Sequence, residues 1–116
     1  TLQHLETRIE ARLDRPTHLL DLALRLHPTP ALGGTPREAA LELIRRLEGG
    51  SRGLYGGAVG WVDAHGAGDL AVAIRCLLVD GRTLTAFAGA GIVAGSDPDA
   101  EVAEIELKLA AALAAV

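Results

Sequence analysis

The sequence has few of the residues on which disulfides and nucleic-acid surfaces depend. Its single cysteine, Cys76, excludes a disulfide within the chain and favours a reducing compartment. The chain has one tryptophan, one tyrosine and one phenylalanine, and its net charge is −4. A surface that binds nucleic acid usually has a basic stripe and aromatic rings that stack on bases. The sequence has neither in quantity, so we expect no nucleic-acid partner.

Long apolar runs are also missing. No stretch reaches the roughly 18 consecutive apolar residues that mark a candidate membrane-spanning helix. The opening TLQHLETRIE has no apolar segment following basic residues, so no signal peptide is visible. We therefore expect a cytoplasmic protein that does not bind a membrane.

Apolar residues are nevertheless abundant in total. Nine apolar residue types make up 49% of the chain, and 14 of its 116 residues are glycine. Globular proteins usually reach about 45–50% only when glycine is counted, and a chain of at most one domain exposes much of its surface. We interpret the excess as surface that a partner chain, or the rest of a longer protein, covers.

The first third of the chain alternates between helical and irregular signals. Residues 4–13 fit either a strand or a short helix. Residues 17–27 predict a helix with Thr17 as its N-cap and Pro28 as its stop. The proline- and glycine-rich segment 28–34 predicts irregular structure.

The remainder predicts two more helices around a group of strands. Thr35 and Glu38 have capping-box spacing before a helix that Gly49 ends. Three apolar runs between residues 55 and 94 are separated by short turns, which predicts an antiparallel meander. The residues Ser-Asp-Pro at 96–98 cap the last helix. The fold class is therefore α+β, an antiparallel sheet with helices packed on one side.

The last helix carries a narrow charged stripe. At 100° per residue, Glu104 lies about 300° and Lys108 about 340° around the axis from Glu101. One interpretation is a solvated face with a Glu104–Lys108 pair in the favourable i,i+4 order. The other is an oxygen-ligand site for a hard cation, with the lysine beside it to hold an anion.

Other candidates lie in the strands and near the start. Arg75 sits within LAVAIRCLLV, where period 2 places it on an apolar face; it either pairs with an anion or lies on an edge strand. Gly89 and Gly91 share one face of the next strand, which permits either close approach of a ligand or a tight bend. Tyr55 and His4 are ligand contacts or hydrogen-bonded structural residues.

Considered together, these residues describe a site for a small dianion. Arg75, Tyr55 and Lys108 offer hydrogen-bond donors to carboxylates, while Glu101 and Glu104 offer oxygen ligands to a metal. An acidic site binds an anion only through a bridging positive charge. A dicarboxylate bound through a divalent cation would use all five side chains.

The motifs that contain these residues resemble a known family. LHPTPALGGTP, RGLYGGAVGWVD, AVAIR and FAGAGIVAGSDPDAEVAEIELKL are similar to successive C-terminal motifs of chorismate-utilising enzymes, above all isochorismate synthase. The resemblance runs from about His4 to the end, whereas family members are much longer. It implies that residues 1–116 are the C-terminal segment of a chorismate-binding domain, part of a larger α/β sandwich.

The resemblance also assigns roles to the charged stripe. Glu104 resembles the family's Mg²⁺-binding glutamate on the last helix, and Glu101 resembles its companion that faces the metal, often through water. Lys108 matches the lysine near the ring carboxylate of the substrate. The cofactor implied is Mg²⁺, which would stabilise charge on that carboxylate.

The remaining candidates correspond to substrate contacts. Arg75 and Tyr55 resemble the pair that holds the enolpyruvyl carboxylate, and Gly89 and Gly91 match positions whose backbone N–H groups face the substrate. His4 is similar to a histidine near the departing hydroxyl group. The ligands implied are chorismate and isochorismate.

One position indicates the reaction type. Anthranilate, aminodeoxychorismate and salicylate synthases usually carry a threonine where this sequence has Ala31, and isochorismate synthases carry alanine. The resemblance therefore implies water addition at C2 of chorismate and loss of the C4 hydroxyl, without elimination of pyruvate. A salicylate- or anthranilate-type synthase is the alternative within the family.

The family's general-base lysine, general-acid glutamate and second Mg²⁺-ligating glutamate have no counterpart here. Lys108 is the only lysine, and it already corresponds to a substrate contact. We therefore expect this segment to be inactive without the missing N-terminal part of the same enzyme. The hypothesis from another class is a non-catalytic binding or assembly module that retains the pocket.

Overall fold

A computed structural model describes residues 7–114 of the chain. In this range the chain folds as an α+β protein with antiparallel strands, which confirms the predicted class. The elements in order are α1 (Leu19–Leu26), α2 (Pro30–Gly33), α3 (Arg37–Glu48), β1 (Ala58–Val62), β2 (Gly68–Val72), β3 (Cys76–Asp80), β4 (Thr83–Phe87) and α4 (Pro98–Leu113). Residues 7–13 form neither a strand nor a helix.

The first two predicted helices exist, but both predicted N-caps are wrong. The N-cap of α1 is His18, whose side chain accepts from the Leu20 N–H, while the Thr17 hydroxyl donates to a carbonyl before it. The N-cap of α3 is Pro36, and it makes no side-chain capping bond. Because Pro36 itself is extended, Thr35 lies one residue too early to cap this helix.

Of the other predictions about helices, the one for segment 28–34 is wrong in part and two are confirmed. Segment 28–34 is not wholly irregular, because Pro30 at the first helical position starts the single turn of α2. Gly49 ends α3 in the left-handed conformation, as predicted, with a φ of 63°. Asp97 caps α4 by accepting from the Ala100 N–H at 2.9 Å, which confirms the predicted start of the last helix.

The strands form two separate hairpins and not one meander. β1 pairs with β2, from Ala58 opposite Val72 to Val62 opposite Gly68. β3 pairs with β4 across the turn at Gly81, whose φ is 57°. No pairing joins the two hairpins in the part of the chain that the structure describes.

Arg75 explains why the predicted middle strand splits. Its φ is 50°, the one positive φ among the described residues other than glycine, and this turns the chain between β2 and β3. The period-2 argument that placed Arg75 on an apolar face is therefore wrong, as is the edge-strand alternative. Gly89 and Gly91 also lie beyond the end of β4 at Phe87, so they do not share a strand face as predicted.

Apolar side chains lie mostly at the surface. Ala112, 8% exposed, is the one buried apolar residue in the described range, while Trp61 is 61% exposed. The accessible surface is 9570 Å², against roughly 6,000 Å² for a folded monomer of this mass. The radius of gyration is 16.3 Å, against about 13 Å for a compact domain of this length. The apolar excess in the sequence is therefore surface that this segment does not cover itself.

None of the helices within residues 7–114 has both the length and the apolar character needed to cross a membrane.

Replacement of Arg75 by glycine tests the backbone constraint at the split. Both Arg75→Gly and Arg75→Ala remove the side chain, but only glycine adopts the φ of 50° without steric cost. We expect the glycine variant to have a free energy of unfolding about 1 kcal/mol higher than the alanine variant. Thermal denaturation of the two purified variants measures the difference. Equal stabilities would contradict the strain argument.

Candidate functional site

A cavity of about 590 Å³ lies where helix α2, the break after β2, the segment after β4 and helix α4 meet. Its walls come from parts of the chain that are far apart in sequence. Six of the residues predicted for the site line it: Ala31, Tyr55, Arg75, Gly89, Gly91 and Lys108. The structure thus brings these six together, although it does not itself assign them a ligand.

Tyr55 and Gly89 form the floor of the cavity. The Tyr55 ring stacks on Phe87, with the ring centroids 5.8 Å apart and an angle of 16° between the planes. A Cβ atom built on Gly89 would lie 2.6 Å from the Tyr55 hydroxyl oxygen. A side chain at position 89 would therefore force the Tyr55 hydroxyl to move. Nothing lies within 4 Å of the equivalent position on Gly91.

Lys108 links helix α4 to the cavity wall. Its ammonium donates to the Gly89 carbonyl at 2.9 Å and forms an ion pair with Glu104. The side chain of Lys108 is only 15% exposed, whereas that of Glu104 is 47% exposed. The i,i+4 pair predicted for a solvated face exists, but the lysine end of the pair points into the cavity wall.

Glu101 and Glu104 lie on α4 beside the cavity and do not line it. Carboxylate oxygens one helical turn apart fit the usual binding mode of Mg²⁺, which takes one or two protein carboxylates and keeps several waters. In the range 7–114 no group of three His, Cys, Asp or Glu residues could hold a metal ion. The two glutamates therefore fit part of a Mg²⁺ coordination shell, and the remaining ligands would come from water, substrate or other segments.

Arg75 and Ala31 both line the cavity. Arg75 holds its left-handed backbone conformation there, and such strain tends to cluster at ligand sites. Ala31 enters from the short helix α2. His4, the remaining predicted site residue, lies outside the described residues.

The sequence-based prediction missed Arg52 and Glu48, which also line the cavity. The guanidinium of Arg52 binds both oxygens of Glu48, donates to the Leu32 carbonyl at 2.9 Å, and lies 5.9 Å from the centre of the Tyr55 ring. The hydrogen bond from Arg52 lowers the pKa of the Glu48 carboxyl, and the same bond raises the pKa of Arg52. The spacing of four residues, glutamate first, is the signal that could have found this pair.

His27 is a second connection that the sequence analysis missed. Its Nε2–H donates to the Gly56 carbonyl at 2.6 Å, which ties the segment before α2 to the Tyr55 turn. Arg37, in the first turn of α3, donates to the His27 carbonyl. The LHPTPALGGTP motif therefore has a structural role next to the cavity in addition to supplying Ala31.

The charges of the wall favour an anionic ligand. Arg52, Arg75 and Lys108 contribute three positive side chains, against the single carboxylate of Glu48. Glu48 pairs with Arg52 within the lining, and Glu104 pairs with Lys108 from beside it, so positive side chains still outnumber carboxylates here. A small molecule with one or two carboxylates matches this balance.

Comparison with known proteins gives a consistent result. A family model described as chorismate binding enzyme matches residues 1–116. The chain is 47% identical over 109 residues to isochorismate synthase MenF of Bacillus subtilis, which covers 94% of this chain and 23% of that protein. It is 45% identical over 113 residues to isochorismate synthase EntC of Escherichia coli K12, covering 97% of this chain and 29% of that protein.

A solved structure agrees in three dimensions. The crystal structure assigned to a 2,3-dihydroxybenzoate-specific isochorismate synthase, DhbC, from Bacillus anthracis superposes with a TM-score of 0.84 at 46% identity. The match covers 89% of this chain and 28% of that one. The chain thus spans less than a third of the length of these three similar proteins.

Alanine substitutions at Gly89 and Gly91 test the close contact on the cavity floor. A methyl group at 89 collides with the Tyr55 hydroxyl, whereas one at 91 meets nothing within 4 Å. We expect Gly89→Ala to lower the free energy of unfolding by about 1–3 kcal/mol. The matched Gly91→Ala variant should change it by less than about 0.5 kcal/mol. Chemical denaturation of both proteins measures this, and equal losses would contradict the assignment.

Proposed function

The chain belongs to the chorismate binding enzyme family, and we propose that it is the C-terminal segment of an isochorismate synthase, which converts chorismate to isochorismate. The observation that carries the proposal is the cavity that gathers Arg75, Lys108 and Tyr55 around a volume of about 590 Å³. Chorismate is a small dicarboxylate and fits a cavity with this charge. The names of the similar proteins support the same activity.

We propose that two sides of the cavity hold the two carboxylates. The guanidinium of Arg75 and the hydroxyl of Tyr55 bind one of them, and the ammonium of Lys108 lies near the other. The backbone N–H groups of Gly89 and Gly91 donate to the substrate from the segment after β4. Each group acts on the ground state and the transition state by orienting the ring.

Glu101 and Glu104 would hold Mg²⁺ beside this cavity. Bound there, Mg²⁺ would neutralise negative charge on the ring carboxylate. The ion pair of Glu104 with Lys108 supports this arrangement, because Lys108 in turn donates to the Gly89 carbonyl. One side chain thus connects the metal ligands to the substrate contacts.

Ala31 favours this reaction over pyruvate elimination. Its methyl group presents no hydroxyl to the cavity, so the α2 wall neither donates nor accepts a hydrogen bond at that point. His4 would line the site near the departing hydroxyl. We propose that the enzyme adds water to the ring and releases the C4 hydroxyl without cleaving the side chain.

The acid and the base belong to another part of the protein. Lys108 is the single lysine of the sequence, and its ammonium is occupied by Gly89 and Glu104. A general base must be free to take a proton at working pH, so Lys108 serves in binding. We propose that the N-terminal remainder supplies the proton-transfer groups and covers the exposed apolar surface of this segment. We also propose that the enzyme acts in the cytoplasm.

An assay of the intact enzyme with chorismate and Mg²⁺ tests the function directly. We expect isochorismate as the product, no pyruvate, and no turnover by the isolated 116-residue segment. Chromatography separates the two organic acids, and a lactate dehydrogenase-coupled assay detects pyruvate. Stoichiometric pyruvate would favour a salicylate- or anthranilate-type synthase. Rapid turnover by the isolated segment would contradict the need for a remainder.

Substitution of the α4 carboxylates tests the metal assignment. We expect Glu104→Gln and Glu101→Gln to raise the Mg²⁺ concentration for half-maximal activity by at least about tenfold. Calorimetric titration of Mg²⁺ into each variant gives a readout that does not depend on turnover. Glu106→Gln is the matched control, because Glu106 lies on α4 about 140° around the axis from Glu101. Unchanged Mg²⁺ dependence in both site variants would contradict the assignment.

A further inference from the structure

Arg52 stands at a junction of three parts of the cavity wall. Its forked guanidinium binds both oxygens of Glu48 at the end of α3, with Nε donating at 2.8 Å. The remaining terminal nitrogen donates to the Leu32 carbonyl of α2 at 2.9 Å. Its Cζ also lies 5.9 Å from the centre of the Tyr55 ring, within the range of a cation–π contact.

These contacts leave Arg52 little capacity for a ligand. An arginine has five N–H donors, and three of its bonds are made within the protein. The carboxylate of Glu48 neutralises the guanidinium in a bidentate pair, in which the Arg52 side chain is 29% exposed. The contacts of Arg52 thus run to α2 and α3, whereas those of Lys108 run to Gly89 and to Glu104 on α4.

Two partners of Arg52, Leu32 and Tyr55, belong to different walls of the cavity. Leu32 follows Ala31 in α2, a single helical turn that cannot fix its own position. Tyr55 lies three residues after Arg52 and rests on Phe87 and Gly89. The guanidinium of Arg52 thus contacts both walls, through a hydrogen bond to Leu32 and a cation–π contact with Tyr55.

We propose that Arg52, held by Glu48, is a positioning residue that sets the placement of the Tyr55 hydroxyl relative to the α2 wall. It acts through Tyr55 and does not touch the substrate. The kinetic test of this proposal rests on the proposed function, in which the Tyr55 hydroxyl binds a carboxylate of the substrate. Its structural readout is independent of the reaction.

A double-mutant cycle on the intact enzyme tests the coupling. We expect Arg52→Gln to raise the KM for chorismate about tenfold, because a misplaced contact group weakens binding. In a Tyr55→Phe background the same substitution should change KM by less than about threefold, because no hydroxyl remains to be misplaced. Equal fold-changes in both backgrounds would show a general structural effect and overturn the proposal.

Two further variants test whether the planar fork of Arg52 and its position are needed. Arg52→Lys retains a positive charge but cannot bind Glu48 through a planar fork, so its KM should also rise; an unchanged KM would overturn the role of the fork. Arg45→Gln is the control, because Arg45 forms a similar pair with Glu42 on the exposed side of α3. It should leave KM unchanged, and a rise equal to that of Arg52→Gln would overturn the proposal.

The crystal structure of the intact Arg52→Gln enzyme separates this proposal from the proposed function. We expect the Tyr55 ring to leave its stacked position on Phe87, where the centroids are now 5.8 Å apart. A Tyr55 ring that stays in place would overturn the positioning role, whichever reaction the enzyme catalyses. If the parent enzyme forms no isochorismate, the proposed function fails, and this structure alone decides the role of Arg52.

Discussion

The hydrogen bond from Lys108 to the Gly89 carbonyl is the contact on which the site depends. It joins the last helix to the segment after β4, and the ion pair of the same ammonium fixes Glu104 beside it. The α4 carboxylates and the cavity floor belong to separate elements of the chain, and this bond connects them. A partly buried lysine is stable only when its charge and its donors have partners, and here a carbonyl and a carboxylate provide them.

The segment brings together binding groups without closing its own core. Its charged and polar cavity residues are in place, yet the strands expose large apolar side chains such as Trp61 and Val79. Hydrophobic burial is the main driving force of folding, and this segment leaves much of its apolar surface uncovered. The chemistry that we propose has the same division, with binding groups in this segment and proton-transfer groups in the remainder.

Sequence patterns predicted the elements better than they predicted their ends. Asp97 caps α4 and Gly49 ends α3 because local hydrogen bonds and backbone sterics decide these positions. The alternation of apolar residues wrongly predicted that Arg75 lies within a strand. Its backbone is left-handed, and a pattern of apolar side chains does not indicate backbone dihedral angles. Arg52 was missed for another reason: its contact with Leu32 spans 20 residues and is created by the fold. Motif resemblance named the cavity residues, whereas only coordinates could show that Glu101 and Glu104 stand beside the cavity and not in its lining.

The contact between Tyr55 and Gly89 also ties the histories of two distant positions together. The tyrosine hydroxyl fills the volume that any side chain at 89 would need. A larger residue at 89 therefore needs the Tyr55 hydroxyl to move or the residue at 55 to be shorter. Each of the two residues thus limits which replacements the other can accept without rearrangement.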